Sequence, residues 1–220
     1  MSEAVVTAQS HEEWLAERKI GLGASDAAAY LGISKWKSNQ TLWEEKVGLR
    51  QPVDISDKPY VQYGVGAEPH IRALFELDHP EYLVTYDGPY KIIRNQEHPF
   101  ILCSPDAELE EVATGRRGGL EIKTTEIMNP GQWGDWKDRI PDQYYCQTIH
   151  QLLAADWEFV ILVAQIKWHA KGGELRKDTR EYYIERAEVL DDIEYTKAAA
   201  IKFWDQVKTK QRPSLILPSI

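Results

Sequence analysis

Apolar and polar residues alternate along the middle of the chain, which is the pattern of strands that bury one face. In residues 120–123, Leu120 and Ile122 would point into a core while Glu121 and Lys123 share the opposite face. Apolar runs and turn signals predict further strands at residues 82–86, 90–94, 100–103, 157–168 and 180–185.

Turn signals between these runs predict which strands are neighbours. The Asp-Gly pair at residues 87–88 predicts a hairpin between the runs on either side of it. The glycine-rich residues 114–119 predict a second turn, just before the strand of Glu121. Four antiparallel strands would thus run in succession, and the last two would bring Asp106, which ends the earlier strand, beside Glu121 and Lys123.

Helical periodicity and capping residues predict that helices surround these strands. One predicted helix begins after Pro141 and carries Gln147, His150 and Gln151, and Gln147 and Gln151 lie one turn apart on a shared face. Taken alone, these glutamines describe a polar helix face, with His150 beside them as a further candidate. The predicted helices span residues 11–19, 25–31, 41–47, 61–77, 142–153 and 188–208.

The converging charges of Asp106, Glu121 and Lys123 carry the candidate chemistry. Two carboxylates at one point raise each other's pKa and are costly unless a cation lies between them. Oxygen ligands favour Mg²⁺ or Mn²⁺, which can activate water and polarise a phosphoryl group. The pattern therefore predicts a site for phosphodiester hydrolysis, in which Lys123 orients the water or stabilises the transition state.

A plainer interpretation stays open on the pattern alone, namely that Glu121 and Lys123 form an exposed charged strand face. The acid-x-Lys spacing is not specific. It recurs in helix-like or loop-like surroundings at Glu17/Lys19, Glu44/Lys46 and Asp135/Lys137.

A glycine-rich bend near the N-terminus offers a second candidate site. Arg18 precedes the bend, and Ser25 and Asp26 follow it at the start of a short predicted helix. Helix starts attract anions, and an arginine can bind a phosphate with two hydrogen bonds. On the pattern alone, an ordinary Ser N-cap with a solvated arginine is the simpler interpretation.

Taken in order, three motifs resemble those of one nuclease family over most of the chain, from about Trp14 into the C-terminal helix. They are Ser104-Pro105-Asp106, Gly119-Leu120-Glu121-Ile122-Lys123 and Tyr144-Tyr145-Cys146-Gln147. The family is that of the lambda-type phage exonucleases, or viral recombinase nucleases, within the Pro-Asp…Asp/Glu-x-Lys superfamily. The resemblance implies a restriction-endonuclease-like α/β core, with a central mixed sheet flanked by helices.

The resemblance also implies roles for single residues. Divalent metal, two Mg²⁺ ions per site with Mn²⁺ able to substitute, would be bound by Asp106, Glu121 and the main-chain oxygen of Ile122. Glu68, which alone would be a solvated helix acid, would face the metals, often through water. The remaining roles would be Lys123 and Gln147 serving the attacking water, Arg18 and Ser25 holding a terminal 5′-phosphate, and Val61 lying near the apolar wedge that separates the strands.

The activity that the resemblance implies is that of a 5′ to 3′ exonuclease acting on the ends of double-stranded DNA. It would leave a 3′ overhang that a single-strand annealing protein uses for recombination. The family commonly forms a ring of three subunits around DNA. A phage or prophage protein in the cytoplasm of a bacterial host is the expected setting.

Composition adds bounds to this expectation. The chain has 220 residues and a formal net charge of −9, so any contact with DNA must be local, because phosphate binding depends on Lys and Arg. We expect one nuclease domain, residues 1–220, with no membrane segment and no signal peptide. Cys103 and Cys146 are expected to be reduced and buried, and two cysteines cannot ligate a four-cysteine iron-sulfur cluster.

Two rival functions remain. A structure-specific or repair endonuclease could use the same core, and an acidic interaction protein could keep the fold without catalysis.

Overall fold

The structure, a computed structural model, describes residues 4–137 and 139–217. Its strands are β1 Ala4–Thr7, β2 Leu22–Gly23, β3 Tyr82–Thr85, β4 Lys91–Arg94, β5 Ile101–Cys103, β6 Ala107–Glu111, β7 Arg117–Ile127, β8 Phe159–His169 and β9 Leu175–Glu185. Its α-helices are α1 His11–Lys19, α2 Ala27–Tyr30, α3 Asn39–Lys46, α4 Pro59–Asp78, α5 Asp142–Ala155 and α6 Leu190–Lys208. Short 3-10 turns cover Ala24–Asp26, Pro130–Trp136 and Arg186–Glu188.

A five-stranded mixed sheet in the order β3-β6-β7-β8-β9 forms the centre of the molecule. Strands β7 and β8 run parallel over ten residue pairs, and the other neighbours are antiparallel. Helix α4 packs on one face, where Ile71 and Phe75 join Leu120 and Ile122 in one apolar cluster. Helix α5 covers the other face. These layers confirm the predicted α/β class, with a mixed sheet between helices.

Helix α5 is largely enclosed by the rest of the molecule. It lies between the central sheet and helices α2 and α6, and residues 146 and 148–155 are all buried. Polar residues of this helix are therefore withdrawn from water, Gln151 completely and Gln147 in part.

A second, four-stranded sheet in the order β1-β4-β5-β2 lies beside the first, which the sequence did not predict. Strands β3 and β4 belong to different sheets, so the predicted hairpin across residues 87–88 is wrong, as is the succession of four antiparallel strands. Strand β4 pairs with β1 and β5 instead. The Asp-Gly turn therefore links two sheets.

The partner of the Glu121 strand also differs from the prediction. Strand β5 does not pair with β7. The antiparallel neighbour of β7 is β6, with Ala107 opposite Leu120. The sequence of β6, Ala-Glu-Leu-Glu-Glu, has only two apolar positions, and both are buried. Such a strand is hard to recognise because most of its residues are acidic.

Other predictions are confirmed by the described residues. Each of the six predicted helices is present, with bounds that shift by a few residues. Cys103 and Cys146 are both buried thiols outside any disulfide. No helix in the described part of the chain is both long and apolar enough to cross a bilayer.

Gly119 allows a close approach that the core requires. A Cβ atom added at this position would lie 2.0 Å from the Trp157 ring. Trp157 is 1% exposed and has no room to move away. The glycines of the motif before Glu121 are therefore explained by packing.

We predict that Gly119→Ala lowers the free energy of unfolding by about 1–3 kcal/mol, because the added methyl group overpacks the core. For a chain of this size that corresponds to a fall of roughly 2–12 °C in Tm, measurable by thermal denaturation. Gly134→Ala is the matched control, since nothing lies within 4 Å of its added Cβ. Equal Tm values for Gly119→Ala and the wild type would contradict the packing explanation.

Candidate active site

Three charged side chains meet where β6 begins beside β7. Oδ2 of Asp106 accepts a hydrogen bond of 2.6 Å from the main-chain N–H of Ile122. Glu121 and Lys123 flank Ile122 in β7, and the Lys123 ammonium contacts Oε1 of Glu121. The structure therefore brings Asp106, Glu121 and Lys123 together. Alternation along the strand predicts that Glu121 and Lys123 share a face, whereas Asp106 arrives through β6 and not through the predicted pairing of β5 with β7.

The interpretation of Glu121 and Lys123 as an exposed charged face is wrong. Glu121 is 2% exposed, and the side chain of Lys123 is 21% exposed. Nε2 of Gln147 donates to Oε1 of Glu121 at 2.5 Å, and the Gln151 amide donates to Oε2. The glutamine face of α5 is therefore turned toward this carboxylate.

Gln151 was missed as a site residue by the sequence reasoning. The available signal was its spacing of four residues from Gln147, which places both amides on one side of a helix. Because the two amides each donate one hydrogen bond and Lys123 supplies a positive charge, both oxygens of the buried Glu121 carboxylate have partners.

The electrostatics of the cluster are those of a buried acid pair. Burial and the negative charge of Glu121 raise the pKa of Asp106 well above its usual range, and the opposing effect of Lys123 is smaller. Burial disfavours the charged form of Lys123, yet Glu121 and Asp106 raise its pKa above the ordinary value. An acid pair in such an environment is stabilised by additional positive charge.

The side chains of this site supply only part of the ligand set that a divalent cation requires. Within residues 4–137 and 139–217, no group of three or more His, Cys, Asp or Glu side chains is placed to hold a metal ion. Asp106 and Glu121 supply two oxygen-bearing side chains, so further ligands have to come from the main chain or from water. Hard oxygen donors of this kind suit Mg²⁺ or Mn²⁺.

Glu68 lies on α4 near the acid pair, since its negative charge contributes to the raised pKa of Asp106. Its carboxylate is held by Arg72, whose guanidinium lies 3.1 Å from Oε1 of Glu68 and donates to the Asp106 carbonyl at 2.8 Å. Arg72 also lies over the Tyr86 ring. The role of Arg72 in fixing α4 to the start of β6 was not predicted.

The second candidate site is assembled around Arg18. The Arg18 guanidinium donates to Oγ of Ser25 at 2.7 Å and lies 4.5 Å from the centre of the Trp14 ring. A Cβ atom at Gly23 would come within 3.1 Å of Arg18, so the glycine leaves room for the guanidinium. The structure thus brings Arg18 and Ser25 together, as expected.

A buried ion pair supports this bend. The Lys46 ammonium lies 2.8 Å from Oδ2 of Asp26 and donates to the Arg18 carbonyl at 3.0 Å. Asp26 also accepts from the Gly23 N–H at 3.1 Å. Burial disfavours the charged carboxylate, but Lys46 and Arg18 lower the pKa of Asp26 below its ordinary value.

Trp14 connects the two candidate sites. Its ring carries Arg18 on one face, and its indole N–H donates to Oγ of Ser104 at 3.2 Å. Ser104 stands two residues before Asp106. The residues around the arginine and the residues around the acid pair are therefore joined through a single aromatic side chain.

Two further candidates lie elsewhere. Val61 is half-buried in the first turn of α4, and its proximity to a strand wedge stays a prediction. His150 is fully buried and faces away from the acid pair, since its ring nitrogens contact the Tyr30 hydroxyl at 2.8 Å and the carbonyls of Leu22 and Leu102. Its place as a site candidate was therefore wrong, and its role is structural.

The chain is similar in sequence to a known protein family and to a bacterial relative. A family model described as a YqaJ-like viral recombinase domain matches residues 13–158. The YqaJ protein of Bacillus subtilis (strain 168), described as uncharacterized, is 32% identical over 212 residues, which cover 94% of this chain and 59% of that protein. The chain thus spans about three fifths of the length of this relative.

Solved structures share the fold. The alkaline exonuclease LHK-Exo from Laribacter hongkongensis superposes with a TM-score of 0.60 at 19% identity, over 91% of this chain and 96% of that chain. Its complex with dAMP gives a TM-score of 0.58 at 20% identity, with the same coverage. A phage-related exonuclease from Haemophilus somnus 129PT gives 0.53 at 15% identity, over 86% of this chain and 96% of that chain.

The buried histidine generates a test of pH dependence. Burial lowers the pKa of His150 to about 4, so the folded protein keeps it neutral while the unfolded chain protonates it below its ordinary pKa of 6.5. Between these values the unfolded state binds more protons, so stability is lost as the pH falls. We predict that this group accounts for a loss of about 3 kcal/mol between pH 7 and pH 4.

Urea denaturation at several pH values measures this contribution. His150→Gln should show a flatter pH dependence of the free energy of unfolding than the wild type. His169→Gln is the control, because that histidine is exposed at the end of β8 and should keep the wild-type slope. A His150→Gln variant with the full wild-type slope would contradict the assignment.

Proposed function

Because the chain belongs to the YqaJ-like viral recombinase domain family, we propose that it is a metal-dependent DNA exonuclease that digests one strand of a duplex from its 5′ end. The observation that carries the proposal is the buried acid pair Asp106 and Glu121, which converges with Lys123 at one point. Such a cluster lowers the free energy of unfolding, and a catalytic role in phosphodiester hydrolysis would explain why the chain contains it.

The metal ligands in this proposal are Asp106, Glu121 and the main-chain oxygen of Ile122, with Glu68 acting through water. Two Mg²⁺ ions, or Mn²⁺ in their place, would supply Lewis-acid chemistry that polarises the phosphoryl group and makes bound water acidic. The main-chain donor accounts for the third ligand that the side chains lack. The Arg72 guanidinium keeps Glu68 beside the Asp106 carbonyl.

The roles of Lys123 and Gln147 follow from their contacts with the same oxygen, Oε1 of Glu121. Lys123 retains its positive charge, because the acids raise its pKa, so it can balance the charge that develops on the phosphoryl oxygens. The Gln147 amide is uncharged and can hold the attacking water or a phosphate oxygen without competing for the cation. Gln151 keeps Glu121 in place from the buried side.

Arg18 and Ser25 support the polarity of digestion in this proposal. A guanidinium and a hydroxyl 2.7 Å apart can bind a terminal 5′-phosphate by charge-assisted hydrogen bonds. Lys46 and Asp26 hold the bend that carries them. Digestion from a 5′ end would leave a 3′ overhang, the substrate of a single-strand annealing protein.

The assembly and the partner are parts of the same proposal. A ring of three subunits around DNA would concentrate the few cations of an acidic chain inside a channel. The similarity of fold to the alkaline exonuclease LHK-Exo, solved with dAMP, supports a nuclease that releases nucleotides. The 59% coverage of the Bacillus relative leaves its remaining part without a counterpart in this chain.

The deciding experiment follows an end-labelled linear duplex in Mg²⁺ and a covalently closed circle of the same sequence. Loss of the label from the 5′ end of the linear duplex, with the circle intact, is the expected result. Cleavage of the circle would instead identify a structure-specific or repair endonuclease. No cleavage of either substrate, in Mg²⁺ or Mn²⁺, would leave the non-catalytic interaction protein.

We predict that Asp106→Asn and Lys123→Met each lower the rate of digestion at least about 100-fold, because each removes a charge from the reacting centre. Glu110→Gln is the control, since this acid is exposed on β6 and should leave the rate unchanged. Thermal denaturation verifies folding of all three variants. A rate within about tenfold of the wild type for Asp106→Asn would contradict its role, on the same principle.

We predict that Arg18→Ala lowers kcat/KM on 5′-phosphorylated ends roughly 10- to 150-fold, because it removes a charge-assisted hydrogen bond, and changes 5′-hydroxyl ends much less. Arg50→Ala is the matched control, because that arginine is exposed. Equal losses on both kinds of end would show that Arg18 does not read the phosphate.

A further inference from the structure

Two lysines face each other on the outer part of the central sheet. Lys167 on β8 is directly opposite Lys177 on β9. Like charges in opposite positions on neighbouring strands destabilise a sheet. In a chain with a net charge of −9, such a pair suggests an anionic ligand rather than a contribution to folding.

Both lysines lie against the ring of Tyr63, which projects from α4. The Nζ atoms of Lys167 and Lys177 are 3.4 Å and 5.6 Å from the ring centre. The Tyr63 hydroxyl donates to Oε1 of Gln165 at 2.5 Å, which fixes the ring. The two positive charges are therefore held at a defined place and are not spread over the surface.

Open cavities lie on both sides of Tyr63. One has a volume of about 400 Å³ and is lined by Tyr60, Tyr63, Thr124, Thr125 and Lys167 among others. The other has a volume of about 330 Å³, and His70, Gln165 and Lys177 contribute to its walls. We call the surface formed by Tyr60, Tyr63, Lys167 and Lys177 the Tyr63 groove.

The lining of the groove carries a net positive charge although the protein is acidic. Lys167 and Lys177 line the two cavities together with one acidic residue, Glu126, which leaves a net charge of +1. Glu126, 3.9 Å from the Lys167 ammonium, offsets one charge locally. The groove is thus a local cationic surface of the kind that a polyanion requires.

The groove adjoins the candidate active site. Thr124, in its wall, follows Lys123 on β7 and points to the face that α4 covers, where a Cβ at Gly64 would lie 3.2 Å from its hydroxyl. Helix α4 also carries Glu68, close to Asp106. Helix α4, which carries both Glu68 and Tyr63, therefore connects the neighbourhood of Asp106 with the groove.

We propose that the Tyr63 groove binds a single-stranded segment of DNA next to the site of cleavage, with Lys167 and Lys177 on phosphates and Tyr60 under a base. Tyr60 is 66% exposed at the rim, where an aromatic face is free to stack. Stacking requires an unpaired base, because a duplex buries its base faces. The choice of DNA as the polyanion rests on the proposed function.

Binding is tested with the full chain in EDTA, so that cleavage does not interfere, using a 3′-fluorescein-labelled 20-nucleotide oligo(dT) and a blunt duplex. Fluorescence anisotropy over a range of salt concentrations gives the dissociation constant and its salt dependence. The variants are Lys167→Gln/Lys177→Gln and Tyr60→Ala. Lys202→Gln/Lys208→Gln, which removes two exposed charges of α6, is the matched control.

We predict that Lys167→Gln/Lys177→Gln reduces the slope of log K against log salt for oligo(dT) by about 1.4, since each phosphate contact contributes about 0.7. Tyr60→Ala should weaken oligo(dT) binding roughly 5- to 100-fold and duplex binding less. Thermal denaturation verifies that the lysine variant is folded, because the substitution removes the contacts of Lys167 with Glu126 and the Tyr63 ring as well as the repulsion. The control should keep the wild-type slope.

Three results would overturn the inference: a wild-type slope in the lysine variant, an equal loss in the control, or a loss confined to the duplex. The proposed function fails separately. Wild-type protein that binds oligo(dT) through the groove but cleaves no DNA in Mg²⁺ or Mn²⁺ would refute catalysis and keep the groove. Normal cleavage by the wild type, with unaltered oligo(dT) binding in the groove variants, would refute the groove and keep the proposed catalysis.

Discussion

The candidate site depends on two carboxylates that are withdrawn from water beside a single lysine. Glu121 tolerates burial because Lys123 and Gln147 contact its Oε1 atom and Gln151 donates to its Oε2 atom. Asp106 has one main-chain donor and a raised pKa, so its charged form is the less well compensated of the two. The long parallel pairing of β7 with β8 holds the strand of Glu121 in the core and places this residue opposite the buried Leu162. Catalytic potential and cost in stability thus arise from the same residues.

Local patterns predicted this chemistry better than they predicted the neighbours of each strand. The alternation of Leu120, Glu121, Ile122 and Lys123 depends only on the pleat of one strand, and the described site agrees with it. Pairing is a non-local property, and the Asp-Gly turn at residues 87–88 joins two sheets because β4 finds better partners in β1 and β5. The acidic strand β6 carries too little apolar pattern to be recognised, although its first residue follows Asp106. Arg72 and Lys46 act through contacts with distant parts of the chain, the carbonyls of Asp106 and Arg18, which spacing cannot reveal.

The distribution of charge is compatible with an acidic protein that binds the proposed nucleic-acid substrate. Cations that matter to the proposals are each held by a neighbouring group: Lys123 by acids, Arg18 by Trp14, Lys46 by Asp26, and Lys167 by Tyr63. A held cation gives up little conformational entropy when a phosphate arrives. Net charge governs long-range attraction, whereas these fixed positions govern contact. An acidic body with few anchored cations would favour dissociation from DNA that lacks a suitable end.

The indole of Trp14 has a geometric consequence. It carries the arginine proposed to hold a terminal phosphate and is tied to Ser104, at the root of the segment that presents Asp106. Under the proposed roles of these residues, the rigid indole ring would set the spacing between a bound DNA end and the phosphodiester linkage at the acid pair. That spacing would determine how many nucleotides separate the end from each cut.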